Sequence, residues 1–173
     1  MKMKSALGLL AAVMLYPVSA LAQHGGQAPA TVPASSAMRV KDLIPLLQKG
    51  GHILLLRHER TAVQSPDDDF SKPATDCFSQ RNLSVAGVAS ARQTGEALAA
   101  LKIPIENVLA TPMCRGMETA RHMFGRATPH AALMHHDITG KRTLDIAAAE
   151  FSHLVEQTHP ATGNIVMVTH GGH

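Results

Sequence analysis

Two short apolar runs, "ILLL" from Ile53 and "IVMV" from Ile165, are each followed two residues later by a histidine, His58 and His170. No other feature narrows the fold as far. A run apolar at every position, rather than at alternate ones, suits a strand covered on both faces, as in a parallel sheet between helices. Each such strand would deliver a protonatable ring to its carboxyl end.

The segments between these runs read as helices and a further strand. Val40, Leu43, Ile44 and Leu47 fall at helical spacing; Pro45 keeps that helix short or kinked, and Gly50-Gly51 stop it. Ser84 is a good N-cap for a helix running to Leu101, with Val85, Val88, Leu98 and Leu101 on one side. Val108 to Ala110 offers a short strand, Met113 to Phe124 a helix closed by Gly125, and "HAALM" (130–134) a weaker strand. Leu144, Ala147, Ala148, Phe151 and Leu154 mark an amphipathic helix. Strands alternating with helices in this way predict an α/β fold, a three-layer α/β/α arrangement around a mainly parallel central sheet.

The domain is expected to occupy residues 38–173. Residues 1–22 carry Lys2 and Lys4, an apolar stretch from Ala6 to Tyr16 and an Ala20-Leu21-Ala22 step, the pattern of a secretory signal peptide. Residues 23–37, rich in Gly, Pro, Ser and Ala, read as a flexible leader. Cleavage removes both lysines, so the formal charge of +3 falls to about +1. With no Trp, one Tyr and no basic run interleaved with aromatics, a nucleic-acid partner is excluded. No later run is long enough to span a bilayer, so a periplasmic or secreted protein without stable membrane insertion is expected.

In open α/β sheets ligands bind beyond the carboxyl ends of the strands. Here those ends carry Arg57-His58, then Thr111-Pro112 leading to Arg115, then His170. Converging cations repel unless an anion with several oxygens joins them, and arginine pairs well with phosphate. Arg115 also falls in the first turn of a helix, where free N–H groups favour anions. The polar loop from Glu59 to Asn82 contains Asp67, Asp68 and Asp69; no further ligands follow at calcium-loop spacing, and the run reads as a solvated turn.

The strings "RHE", "RNLSVAGVASARQTGEAL", "TPMCRGMETA" and "VTHGGH" occur in that order. Together they resemble the histidine phosphatase superfamily, in the branch that includes the phosphoglycerate mutases. The resemblance covers Ile53 to the end. It implies a phosphoglycerate mutase-like fold and a phosphomonoester hydrolase working through a phosphohistidine. His58 would be the nucleophile, with Arg57, Arg115 and His170 around the phosphoryl oxygens and Thr61 a further candidate beside them. Glu59 stands where the family has glycine. For the general acid, Asp137 and Glu59 are the candidates. The chain stops three residues after His170, where the family continues with another helix and strand, so a truncated chain or an incomplete sheet is expected. If Arg57, His58 and Arg115 meet on one phosphate, Cys77 and Cys114 become neighbours, and an oxidising compartment favours a disulfide between them.

No cofactor or metal is expected. A His-rich metal-binding protein is the competing class, from 11 histidines and the "HGGH" ending, but it leaves Arg57 and Arg115 without a role. A non-catalytic phosphate-binding relative is the other alternative. The partner is a small-molecule or surface phosphate ester that the sequence does not identify.

Overall fold

Both apolar runs form strands, and they lie side by side. The computed structural model describes residues 39–65, 67–134 and 141–171; the expected signal peptide and leader, Asp137 and His173 lie outside the described residues. Helix α1 (Val40–Lys49) precedes strand β1 (Ile53–Arg57). Then come α2 (Val85–Ala100), β2 (Ile105–Ala110), α3 (Cys114–Phe124), the two-residue β3 (Thr128–Pro129), α4 (Leu144–Gln157) and β4 (Asn164–Thr169). The sheet order is β1-β4-β2-β3, and each pairing is parallel. The α/β fold with a parallel central sheet is as the alternation of elements predicts.

The register explains why β4 is apolar throughout. Val166 and Val168 pack with Val108, Ala110, Met117 and Ala120 on the face covered by α3. Met167 is also fully buried, one residue out of step and so on the opposite face. There Thr169 Oγ1 donates to Leu133 O at 2.9 Å, in a 3₁₀ turn (Ala131–Leu133) that rests against α4. That turn corrects the strand expected over "HAALM". The bridge to β2 is made two residues earlier, at Thr128 and Pro129, and His130 caps the turn by accepting from Ala132 N at 3.3 Å.

Helix α2 begins as its sequence predicts, with Ser84 Oγ accepting from Gly87 N at 3.0 Å. Gly87 is required there, because a Cβ would collide with Arg60 O in the chain leaving β1. The loop from 61 to 83 returns beneath this point through a bridge between Thr61 and Leu83. A disulfide joins Cys77 to Cys114, with Cα atoms 5.6 Å apart. Buried Gln80 adds a second link: its Oε1 accepts from Cys114 N at 3.0 Å, and its Nε2 donates to Ala74 O at 2.6 Å.

The amino end of the sheet is tied by polar groups. Asn164 is fully buried; its Oδ1 accepts from His52 N at 3.2 Å, and its Nδ2 donates to Leu47 O and Pro104 O at 2.7 and 2.9 Å. The β2–β4 register shifts between Ile105 and Asn107, an irregularity of the kind that re-aims a side chain. Glu106 lies at that step. Its Oε2 accepts from the backbone N–H groups of Ala161, Thr162 and Gly163 at 2.8, 2.7 and 3.1 Å.

Two outcomes follow from these ties. Replacing Cys77 and Cys114 together with serine removes a cross-link across 37 positions, and chemical denaturation should register a loss of roughly 3–4 kcal/mol. Glu106 has its carboxyl held below the usual range, first by the Thr162 N–H and then by those of Ala161 and Gly163. A depressed folded value gives stability that is complete above the ordinary carboxylate range and fades as the pH falls through the lowered one. Thermal melts of Glu106→Gln should therefore lie below wild type at neutral pH and converge with it in acid; parallel curves would remove Glu106 from this role.

Candidate active site

The carboxyl ends of β1 and β4 are adjacent, and the ladder continues past both. His58 N donates to Thr169 O at 2.9 Å, and Thr111 N donates to Val168 O at 2.9 Å. His58 and His170 thereby face each other, ring centroids 5.1 Å apart and edge to face. His170 is buried, and its Nε2 makes a 3.1 Å hydrogen bond with Thr111 Oγ1. Gly116 lets the first turn of α3 press onto this corner, since a Cβ would strike Thr111 Cγ2.

The hydrogen bonds of His58 define its tautomer. Its Nδ1 lies 2.7 Å from Glu59 O, and a carbonyl only accepts, so the proton is on Nδ1. Its Nε2 accepts from Arg115 Nε at 3.2 Å and so carries the lone pair. The imidazole pKa is lowered to about 4, mainly by burial; the bond to Glu59 O opposes this, the charges of Arg115 and Arg57 add to the lowering, and Asp68 counters them. At neutral pH the ring is uncharged, with the lone pair of Nε2 directed at a guanidinium.

Arg115 is 4% exposed and reaches this point from the first turn of α3. Its two terminal nitrogens donate to the two oxygens of Asp68, at 2.8 and 2.9 Å. Asp68 Oδ1 also accepts from Arg81 N at 2.9 Å. This corrects the reading of the aspartate run as a solvated turn: Asp67 and Asp69 are exposed, whereas Asp68 is turned inward onto a buried cation. Clustered cations signal that a counter-charge is needed, but not which aspartate supplies it.

Arg57 is exposed, its guanidinium near Gly171. It opens onto a depression of about 330 Å³ lined also by His58, Glu59, Arg60 and Thr61. Thr61 Oγ1 accepts from Arg81 at 3.3 Å. Glu59, in the glycine position of the resemblance, has one carboxylate oxygen accepting from Ser90 Oγ on α2 at 3.0 Å. Its backbone N–H donates to Thr119 Oγ1 at 3.0 Å, and that hydroxyl donates to Arg115 O at 2.7 Å. Thr119 thus joins α3 to the turn that carries His58. Among the described residues, no three His, Cys, Asp or Glu side chains gather as metal ligands, and no helix is long and apolar enough to cross a membrane.

No protein-family model matches the chain, and no curated protein matches it. Among solved structures, the chain is similar to the protein histidine phosphatase SixA complexed with tungstate, at 18% identity over 69% of each chain with a TM-score of 0.45. It is also similar to a candidate phosphohistidine phosphatase SixA from Agrobacterium tumefaciens, at 16% identity over 70% of each chain with a TM-score of 0.46. A third similarity is to a candidate phosphohistidine phosphatase SixA from Nakamurella multipartitia, at 19% identity over 70% of this chain and 60% of the other, with a TM-score of 0.46.

Proposed function

We propose that this chain is an exported phosphomonoester hydrolase of the histidine phosphatase type. The observation that carries the reading is the state of His58: uncharged, protonated on Nδ1, with the Nε2 lone pair directed at buried Arg115. A nucleophile beside a group that binds oxyanions is what covalent phosphoryl transfer needs. In the first step His58 Nε2 bonds to phosphorus, the ester P–O bond breaks, and the leaving oxygen takes a proton from a carboxylic acid. In the second step water attacks phosphorus and loses a proton to that carboxylate; the N–P bond breaks, releasing phosphate and the neutral ring. Arg57, Arg115 and His170 stabilise the charge on the transferring group. Glu59 and Asp137 remain the candidates for the acid, Glu59 being one residue from the nucleophile. The bond between Cys77 and Cys114 fits an oxidising compartment such as the periplasm.

A non-catalytic anion-binding relative is the second reading, favoured by the Asp68 carboxylate already filling the Arg115 fork. An aryl phosphate assay with and without chelator separates these readings and the metal-binding class. We expect turnover indifferent to chelator and an acid-labile, alkali-stable phosphoryl label on His58. His58→Ala should reduce turnover to background while keeping the wild-type far-ultraviolet spectrum. Full turnover in that variant would sink the mechanism.

The lowered His58 value gives a second test. A histidine whose folded pKa lies below its unfolded value of 6.5 contributes stability that is complete above 6.5 and is lost as the pH falls toward about 4. An NMR titration of the His58 ring should show the Nδ1–H tautomer at neutral pH and a midpoint near 4. A midpoint near 6.5 would mean that the ring is not desolvated as described.

A further inference from the structure

The Arg115 guanidinium is spent before any ligand arrives. Its terminal nitrogens hold both oxygens of Asp68, and its Nε holds the nucleophilic nitrogen of His58. The pair is almost wholly buried, with 5% of the arginine side chain and 10% of the aspartate side chain exposed. An oxyanion seated on that fork has to take the place of a carboxylate already there.

We propose that Asp68 is a specificity-determining residue: a resident anion that an incoming oxyanion must exchange with, so that the site accepts phosphomonoester dianions and rejects phosphodiester monoanions. This inference rests on the phosphatase reading. A monoester dianion offers two charges and three free oxygens, against one charge and two oxygens for the carboxylate. It can take the fork and still reach Arg57 and the His170 corner. A diester monoanion offers one charge and two free oxygens, which only equals what Asp68 supplies. Asp68 is also part of the same chain, braced by Arg81 N, so its effective concentration at the fork exceeds that of a free competitor. The fraction of molecules with an open fork divides the intrinsic affinity of every ligand. Removing the competing charge therefore raises affinity for dianions and admits monoanions.

The alternative role is orientation: Asp68 holds Arg115 in place, and phosphate binds alongside the intact pair. The two roles predict opposite signs. Calorimetric titration of the oxidised protein at about pH 8 uses inorganic phosphate as the dianion and dimethyl phosphate as the monoanion. Wild type should bind phosphate and show no heat with dimethyl phosphate. Asp68→Asn should bind phosphate about tenfold tighter, the scale of a charge-assisted hydrogen bond removed from a competitor, and should begin to bind dimethyl phosphate. Asp68→Ala serves as the second variant, and thermal melts confirm that the titrated protein is folded. Equal or weaker phosphate binding in the folded variants overturns the exchange and assigns Asp68 to orientation. Tighter phosphate binding without dimethyl phosphate binding overturns the selectivity. If neither wild type nor the variants bind phosphate, while an Arg115→Ala control behaves identically, the phosphatase reading falls and this inference with it.

Discussion

A guanidinium that is only 4% exposed cannot stand without a negative partner, and much of the candidate site is arranged around that requirement. An uncompensated buried charge costs several kcal/mol. Arg115 is supplied with a carboxylate from the 61–83 loop and with a lone pair from His58. That loop therefore cannot be an independent surface feature. It is fastened to the start of α3 at adjacent residues, through the disulfide and Gln80 at Cys114 and through Asp68 at Arg115. These links include a covalent bond, neutral hydrogen bonds and an ion pair, so they respond differently to reductant, denaturant and salt. Screening acts weakly on the last because it is buried.

The same cation adds to the effect of burial in keeping the His58 ring uncharged. Burial removes water from the His58 ring, and two guanidinium charges beside it further disfavour a proton. Asp68 acts in the opposite direction, so one carboxylate both compensates Arg115 and limits how far the imidazole is driven from its ordinary value. The backbone defines which nitrogen remains basic: the bond to Glu59 O commits Nδ1. Glu59 itself shows how a bulky residue occupies a turn where the resembled family has glycine. Its carboxylate meets Ser90 on α2 while its amide is held by Thr119.

The chain discloses its sheet more readily than its site. The strand at Ile165 is legible because every residue must be apolar when both faces are covered; the run at Ile53 reads the same way but is covered less fully, since β1 stands at the end of the sheet order and Leu55 is 49% exposed. The helix starting at Ser84 is legible because its cap is local chemistry. "HAALM" misleads because a short alanine-rich run has no period long enough to tell a strand from a turn, and the amino part of β2 hides behind the polar pair Glu106 and Asn107. His58, Arg57, Arg115 and His170 can be picked out from their positions after strands. Asp68 cannot be told from Asp67 and Asp69 by composition, since only the path of the loop decides which of three identical side chains turns inward. Gln80 and Thr119 are invisible for the same reason: their partners lie 34 and 60 positions away.

The sheet order carries a consequence for how the molecule assembles. β4 lies between β1 and β2, yet the His52–Asn164 contact at its start closes 112 positions of chain. Until β4 inserts, β1 and β2 have no common neighbour, and His58 has no partner strand to hold its turn. Closing such a long loop is entropically costly and comes before the contacts that offset it, which slows folding. Site and sheet thus share one element: β4 is the strand between β1 and β2 and also supplies Thr169 O, which holds the turn at His58.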